Sequence, residues 1–126
     1  MKNVIFSSDK KVLIVEYLYT VENYLTIHIK IKSGEFSGES NFCLSREQVI
    51  SAIKNLSEMS DKLSGCFSLR DCDSDDHIDF EMGELGHLRV FGQIGGSHED
   101  HFVKFKYVID QTILPNLIKN FETILL

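Results

Sequence analysis

The chain is poor in several residue types that mark specialised classes of protein. It has no Trp, one Pro and three Cys, and no apolar run approaches the roughly 18 residues of a membrane-spanning helix. The apolar run near the N-terminus, Val4-Ile5-Phe6, is far too short for a secretory signal. The cysteines, Cys43, Cys66 and Cys72, show neither CxxC nor metal-finger spacing. We therefore expect a cytoplasmic protein with reduced thiols and no membrane segment.

Catalytic and cofactor motifs are missing as well. The sequence contains no GxSxG, no P-loop and no GxGxxG. The cysteines lie in predicted strands without a nucleophile signature. Carboxylate pairs on a solvated surface, such as Asp79 and Glu81, rarely serve acid–base catalysis. The sequence predicts a protein that is not an enzyme and needs no cofactor.

Negative charge is concentrated in one segment of the chain. There are 19 acids against 13 Lys and Arg, which gives a net charge of −6. Seven of the acids lie between Asp71 and Glu84, a segment without Lys or Arg, so the remainder is close to neutral. This balance argues against nucleic acid as a direct partner. A charge run is usually a solvated turn, and the alternative is a surface that attracts a basic partner.

Two segments resemble metal sites only in part. Residues 71–82 place acids at positions 1, 3, 5 and 9 of an EF-hand loop: Asp71, Asp73, Asp75 and Asp79. However, Asp76 stands where the loop needs Gly, and Met82 stands where a bidentate Glu closes the site. The segment His98-Glu99-Asp100-His101 offers no third ligand beyond its two histidines. We predict no metal site, and interpret these segments as an acidic hairpin tip and a polar loop.

Hydrophobic periodicity predicts an α+β fold. Strands are predicted at 12–19, 25–32, 41–43, 66–72, 78–82, 86–94 and 101–109. Ser45 and Gln48 form a capping box that begins a first helix, and Gly65 ends it. Asp110 or Thr112 can cap a second helix, and we prefer Thr112 because Pro115 then lies in the first turn. Each helix has one apolar stripe. We therefore predict one domain over 1–126, with a mostly antiparallel twisted sheet of about six to eight strands and two helices packed on one face.

The opposite face of the sheet is predicted to stay open. If Phe80, Leu88 and Val90 point inward, alternation places Asp79, Glu81, Arg89, Phe91 and Gln93 outward. A Phe among charged neighbours either packs laterally on the next strand or anchors an interface ringed by polar groups. The open face and the acidic hairpin form our predicted partner-binding surface: Asp73, Asp75, Asp76, Asp79, Glu81, Arg89 and Phe91.

The C-terminal half, from Gly65 onward, resembles a known family. Gly86-His87-Leu88-Arg89-Val90-Phe91-Gly92 is followed by a phenylalanine-rich strand around Phe102 and Phe105, and then by Asp110-Gln111-Thr112-Ile113-Leu114. This series is similar to that of the WapI-type immunity proteins of bacterial polymorphic, contact-dependent toxin systems. The resemblance implies that the chain binds and neutralises a cognate toxin domain. It transfers no catalytic residue.

Charge and resemblance together favour a toxin that is a nuclease. A nuclease that holds phosphates needs a basic site, which an acidic inhibitor can occlude, and opposite charge speeds the capture. The alternative is a small-molecule-binding or enzymatic domain that uses the open sheet face. Such a domain would need a deep pocket with convergent polar groups.

Overall fold

The computed structural model describes residues 2–95 and 101–126. The elements, in chain order, are β1 (Lys2–Ser7), β2 (Lys11–Val21), β3 (Tyr24–Ser33), β4 (Phe36–Ser45), α1 (Arg46–Lys62), β5 (Cys66–Arg70), β6 (His77–Met82), a 3-10 turn (Glu84–Gly86), β7 (His87–Ile94), β8 (Val103–Asp110) and α2 (Ile113–Leu125). The α+β class and the antiparallel strands are confirmed.

The strands of the described residues form two antiparallel sheets rather than a single one. Sheet 1 has the order β1-β2-β3-β4 and sheet 2 the order β5-β6-β7-β8, so each sheet is a meander of consecutive strands. Helix α1 connects the two. Strands β3 and β4 contact β8, and β4 also contacts β7, which brings the sheets together.

Strand β4 is much longer than the predicted strand at 41–43. It pairs with β3 without a break from Phe36↔Ser33 to Ser45↔Tyr24. Gly38 therefore lies within the strand. A Cβ on Gly38 would lie 3.3 Å from Ile94 Cγ2 and 3.5 Å from Val103 Cγ2. The glycine allows sheet 2 to pack closely on β4.

One hydrophobic core unites both sheets and both helices. Alternation along the strands places one side of each in this core, where the buried residues include Leu25, Ile27, Ile29, Ile31, Ile78, Phe80, Leu88, Val90, Phe105, Tyr107 and Ile109, while Phe67 and Val103 are partly buried. Helix α1 contributes Val49, Leu56 and Met59. Helix α2 contributes Leu114, Leu117 and Phe121. Burying one apolar stripe of each helix against the inner faces leaves the outer faces of the sheets to solvent.

The ends of the helices follow local rules. Ser45 Oγ accepts a hydrogen bond from the Gln48 amide at 3.1 Å, and Gln48 Oε1 accepts one from the Ser45 amide at 2.8 Å, which confirms the capping box. Leu63 takes the left-handed conformation with φ 54°, so α1 ends before the predicted stop at Gly65. Thr112 is the N-cap of α2, but Asp110 Oδ1 accepts from its amide at 2.9 Å.

Neither helix of the described residues is long and apolar enough to cross a membrane.

Candidate partner-binding surface

Four of the predicted surface residues lie on one face of sheet 2. Asp79 is directly opposite Phe91, and Glu81 is opposite Arg89, in the β6–β7 register. The residues that alternate with them on these strands are buried in the core. We call this side the sheet-2 outer face and define it by Ser68, Asp79, Glu81, Arg89, Phe91 and Lys106. Alternation therefore places Asp79, Glu81, Arg89 and Phe91 together as predicted.

Two members of this face come from the neighbouring strands. Ser68 of β5 is opposite Asp79, and Lys106 of β8 is opposite Phe91. The predicted partner-binding set omitted both. The same alternation in the sequence could have identified Ser68 and Lys106 as outward-facing, because their neighbours Leu69 and Phe105 are buried. Assigning them to the same face additionally requires the strand register.

The charged groups of the sheet-2 outer face are only partly paired. Arg89 Nη1 lies 3.0 Å from Glu81 Oε1, with both side chains more than two-fifths exposed, so this ion pair adds at most about 1 kcal/mol to stability. Asp79 Oδ2 lies 3.9 Å from His77 Nε2. In contrast, Asp79 Oδ1 and Ser68 Oγ are both buried without a hydrogen-bond partner among the described residues. Buried polar atoms normally have partners, so these two atoms on neighbouring strands are an exception on this face.

Phe91 lies at the centre of this face. Its ring is half-buried, between Asp79 on β6 and Lys106 on β8, with Arg89 two residues before it. Partial burial is consistent with lateral packing on the sheet. It also leaves apolar surface ringed by polar and charged groups, which is the usual composition of an interface hot spot.

The loop between β5 and β6, residues 71–76, is the acidic hairpin. Asp71 fixes it to sheet 1: its Oδ1 accepts from the Cys43 amide at 2.8 Å and from the Asp73 amide at 3.2 Å. Its Oδ2 accepts from Ser74 Oγ at 2.6 Å. The Cys72 amide donates to the Cys43 carbonyl at 3.0 Å. Asp71 therefore has a structural role in the loop.

Asp76 departs from the prediction. We predicted it on the partner-binding surface, yet it is only 1% exposed. Its Oδ2 accepts from Ser40 Oγ at 2.7 Å and from the Gly95 amide at 3.2 Å. The carboxylate thus joins the hairpin to β4 and to the end of β7. Its neighbours in the sequence do not reveal this, because Ser40 and Gly95 come to it only through packing of the two sheets.

The remaining acids of the hairpin point outward. Asp73 and Asp75 are exposed, and the Asp75 carbonyl accepts from His77 Nδ1 at 2.9 Å. Because His77 begins β6, Asp75 lies at the end of the sheet-2 outer face, whereas Asp73 lies near Cys43 of β4, where its charge raises the pKa of the thiol. Among the described residues, no group of three or more His, Cys, Asp and Glu side chains is placed to hold a metal ion. The segment His98-Glu99-Asp100 lies outside the described residues.

Three pKa shifts have separate physical causes. Burial, followed by the negative charges of Asp73 and Asp71 and contact with Cys72, raises the pKa of the Cys43 thiol. Burial raises the pKa of Tyr107 well above its usual range. Hydrogen bonds from Thr112 lower the pKa of Asp110. These groups lie on β4, in the core and before α2, so they do not form the convergent cluster expected of an active site.

The sequence motifs behind the resemblance make close contacts at both ends of β7. The Gln111 amide donates to the Gly86 carbonyl at 3.1 Å, and a Cβ on Gly86 would lie 2.9 Å from Gln111 Nε2. A Cβ on Gly92 would lie 2.1 Å from the His77 carbonyl oxygen, an impossible distance. His87 is opposite Asp110 in the β7–β8 register. Packing of β6, β7, β8 and α2 therefore explains these residues without a catalytic role.

A family model for the WapI-like immunity proteins matches residues 7–126, nearly the whole chain. The chain belongs to the WapI-like immunity protein family. The match extends the resemblance of the C-terminal half to β2, β3, β4 and α1. It implies a non-enzymatic role with a protein toxin as partner. No curated protein sequence matches the chain.

Two solved structures share the fold. The MRP1/MRP2 structure from Trypanosoma brucei superposes with a TM-score of 0.58 at 9% identity, covering 99% of this chain and 82% of the other. WHY3 from Arabidopsis thaliana gives a TM-score of 0.58 at 12% identity, covering 99% and 86%. At such identities the likeness shows the architecture alone.

Proposed function

We propose that this WapI-like immunity protein binds a cognate toxin in the cytoplasm and neutralises it by covering the toxin's active site or substrate surface. The observation that carries the proposal is the family match over residues 7–126. We propose further that the toxin is a nuclease. The support for this is the acidic surface of the chain, because an enzyme that binds phosphates presents a basic site.

We propose that the toxin docks on the sheet-2 outer face together with the exposed acids of the hairpin. A specific complex buries roughly 800 Å² on each partner, about one-ninth of the 7195 Å² surface of this protein. The hairpin alone is too small for that area. The adjacent face adds a half-buried Phe91 and the unpaired atoms of Asp79 and Ser68. A partner that covers Phe91 removes apolar surface from water, and a hydrogen bond to either unpaired atom would offset the cost of its burial without a partner.

Charge gives the two parts of this surface different roles. Asp73 and Asp75 are exposed, so their attraction to a basic toxin is screened by salt and acts mainly on the association rate. Phe91 and Asp79 are half-buried, so their contacts form only after docking and act mainly on dissociation. The proposed complex therefore forms quickly and separates slowly.

Co-expression with the toxin domain encoded beside this chain tests the proposal. We expect the chain to restore growth and to co-purify with the toxin, while a toxin from an unrelated system still kills. Purified toxin should cleave RNA or DNA, and one equivalent of the chain should abolish cleavage. Killing at equal expression, without co-purification, would contradict immunity. Rescue from a toxin that cleaves neither nucleic acid would contradict the nuclease assignment alone.

A further inference from the structure

The edge strands of the two sheets differ in how far other parts of the chain hydrogen-bond their free main-chain groups. Strands β4 and β5 are partly covered. On β4, both main-chain groups of Cys43 are engaged by the acidic hairpin, through Asp71 Oδ1 and the Cys72 amide. On β5, the Arg70 carbonyl accepts from Gln48 Nε2 of α1 at 3.0 Å. An uncovered edge offers a row of free N–H and C=O groups to any other strand. These two edges are thus partly closed by other parts of the chain.

The edge at β8 is covered too. The Lys106 carbonyl accepts from Ser33 Oγ at 3.1 Å, and the Val108 carbonyl accepts from Lys11 Nζ at 2.5 Å. Both donors come from sheet 1. The packing of the two sheets therefore satisfies carbonyls that would otherwise attract another strand.

Strand β1 is the exception. Its described hydrogen bonds join it to β2, and none joins its other edge to another element. A groove of about 390 Å³ runs there between β1 and α2, lined by Asn3, Val4, Ile5, Lys119, Asn120 and Thr123. Successive side chains of a strand point to opposite faces, so a groove lined by Asn3, Val4 and Ile5 together follows the strand edge. A second cavity of about 280 Å³ shares Asn3 and Thr123 and lengthens the groove.

The wall of this groove contains an unpaired amide. Asn120 of α2 is 4% exposed, and neither its Nδ2 nor its Oδ1 has a hydrogen-bond partner within residues 2–95 and 101–126. A buried amide without partners is costly to keep. An Asn side chain presents donors and an acceptor side by side, which matches the C=O and N–H of a polypeptide main chain.

We propose that this groove binds an extended segment of the toxin, which adds to sheet 1 as a fifth strand beside β1 and pairs its main chain with Asn120. This inference rests on the proposed function. Lys119 supplies the positive charge of the groove wall, so a segment carrying Asp or Glu fits best. A second copy of β1, with the sequence Lys-Asn-Val-Ile-Phe-Ser, has no acid to offer. The segment is a second contact, separate from the sheet-2 outer face.

Asn120→Leu tests the role of the amide with two readouts. Removing unpaired polar atoms from a buried site should raise the melting temperature of the free protein, by about 3–6 °C. The same change should weaken toxin binding at least tenfold. Asn55→Leu on α1 is the control, because the Asn55 side-chain amide already donates to the Ser51 carbonyl at 2.8 Å. The melting temperature of this variant should not rise, and its affinity for the toxin should not change. Unchanged affinity in Asn120→Leu would overturn the proposal.

Amide hydrogen exchange of the unmodified protein, measured free and with the purified toxin domain, tests the proposal without any substitution. Amides of β1 should exchange at least tenfold more slowly in the complex than in the free protein. If a complex forms but β1 exchanges as before, the groove proposal fails while the proposed function stands. If no complex forms, the proposed function fails and the groove proposal fails with it.

Discussion

The two sheets share a core but differ on their outer faces. Sheet 1 has the longer strands, up to the 11 residues of β2, and its outer face exposes apolar groups such as Tyr19 and Tyr24, which are 54% and 49% exposed. Sheet 2 has strands of 5 to 8 residues, and its outer face combines charges with one half-buried ring. The inner faces thus define the fold, while the outer faces are free to differ in chemistry.

Polar groups are also satisfied differently on the two faces. On sheet 1, His28 uses both ring nitrogens, at 2.6 Å from Asn41 Oδ1 and 3.1 Å from Glu39 Oε1. On sheet 2, Asp79 Oδ1 and Ser68 Oγ have no hydrogen-bond partner in the part of the chain that the structure describes. A surface that completes its own hydrogen bonds gains little from a polar partner, whereas one with unpaired buried atoms gains more. This contrast favours sheet 2 as the main docking face.

Gly→Ala substitutions, one in sheet 2 and one in a turn of sheet 1, should give the largest difference in folding stability. At Gly92 the added Cβ would collide with the His77 carbonyl, so we expect a loss of at least about 4 kcal/mol of stability as the β6–β7 pairing breaks. At Gly34, in the β3–β4 turn, the Cβ meets open space and only the positive φ of 64° opposes it, at about 1–2 kcal/mol. Urea unfolding measures both, and equal losses would contradict the close approach at Gly92.

Asp76→Ala should cause the next largest loss of folding stability. It leaves Ser40 Oγ and the Gly95 amide without the carboxylate that joins the two sheets, so we expect a loss of about 2–3 kcal/mol of stability. Asp75→Ala, one residue earlier but exposed, should change stability by less than about 0.5 kcal/mol. Thermal melts of both variants decide this. Equal stability would mean that Asp76 is not structural.

Removing the exposed acids should change kinetics more than stability. Asp73→Asn with Asp75→Asn should slow association with the toxin by about three- to tenfold at low salt and flatten its salt dependence. The matched control removes two exposed charges from the turns of sheet 1, with Asp9→Asn and Glu22→Gln. Stopped-flow association over a range of salt concentrations separates the pairs. If both pairs slow association equally, net charge rather than the hairpin steers the toxin.

The smallest effect concerns acid stability at the start of α2. Because Thr112 lowers the pKa of Asp110, the ionised carboxylate stabilises the fold at pH values above the usual Asp pKa, and this contribution is lost as the pH falls through the lowered value. The stability gap between the parent and Asp110→Ala should therefore shrink below about pH 4. A gap that widened in acid would contradict this sign.

Features that depend on local periodicity could be predicted from the sequence. The alternation of Ile78, Phe80, Leu88 and Val90 is dictated by burial of one strand face, so the placement of Asp79, Glu81, Arg89 and Phe91 followed from it. The capping box at Ser45 was equally local. Both need only near neighbours in the chain.

Features that depend on distant packing could not be predicted. Nothing in β4 or β5 indicates that the eight strands divide into two sheets, since strand pairing is decided by the whole fold. The hairpin acids illustrate the same limit. Asp71 and Asp76 bind Cys43, Ser40 and Gly95 from other elements, while Asp73 and Asp75 face solvent. All four are Asp residues of one acidic segment, so residue type alone does not separate them.

Calorimetric titration of Phe91→Ala and Tyr24→Ala with the toxin domain tests the docking face most directly. Each change removes one aromatic ring, from the outer face of sheet 2 and of sheet 1 respectively. We predict that Phe91→Ala weakens binding by at least about 2 kcal/mol, as at a hot spot, with its fold intact by thermal melt, and that Tyr24→Ala binds like the parent. Parent-like binding by Phe91→Ala, or a greater loss in Tyr24→Ala, would contradict docking on sheet 2.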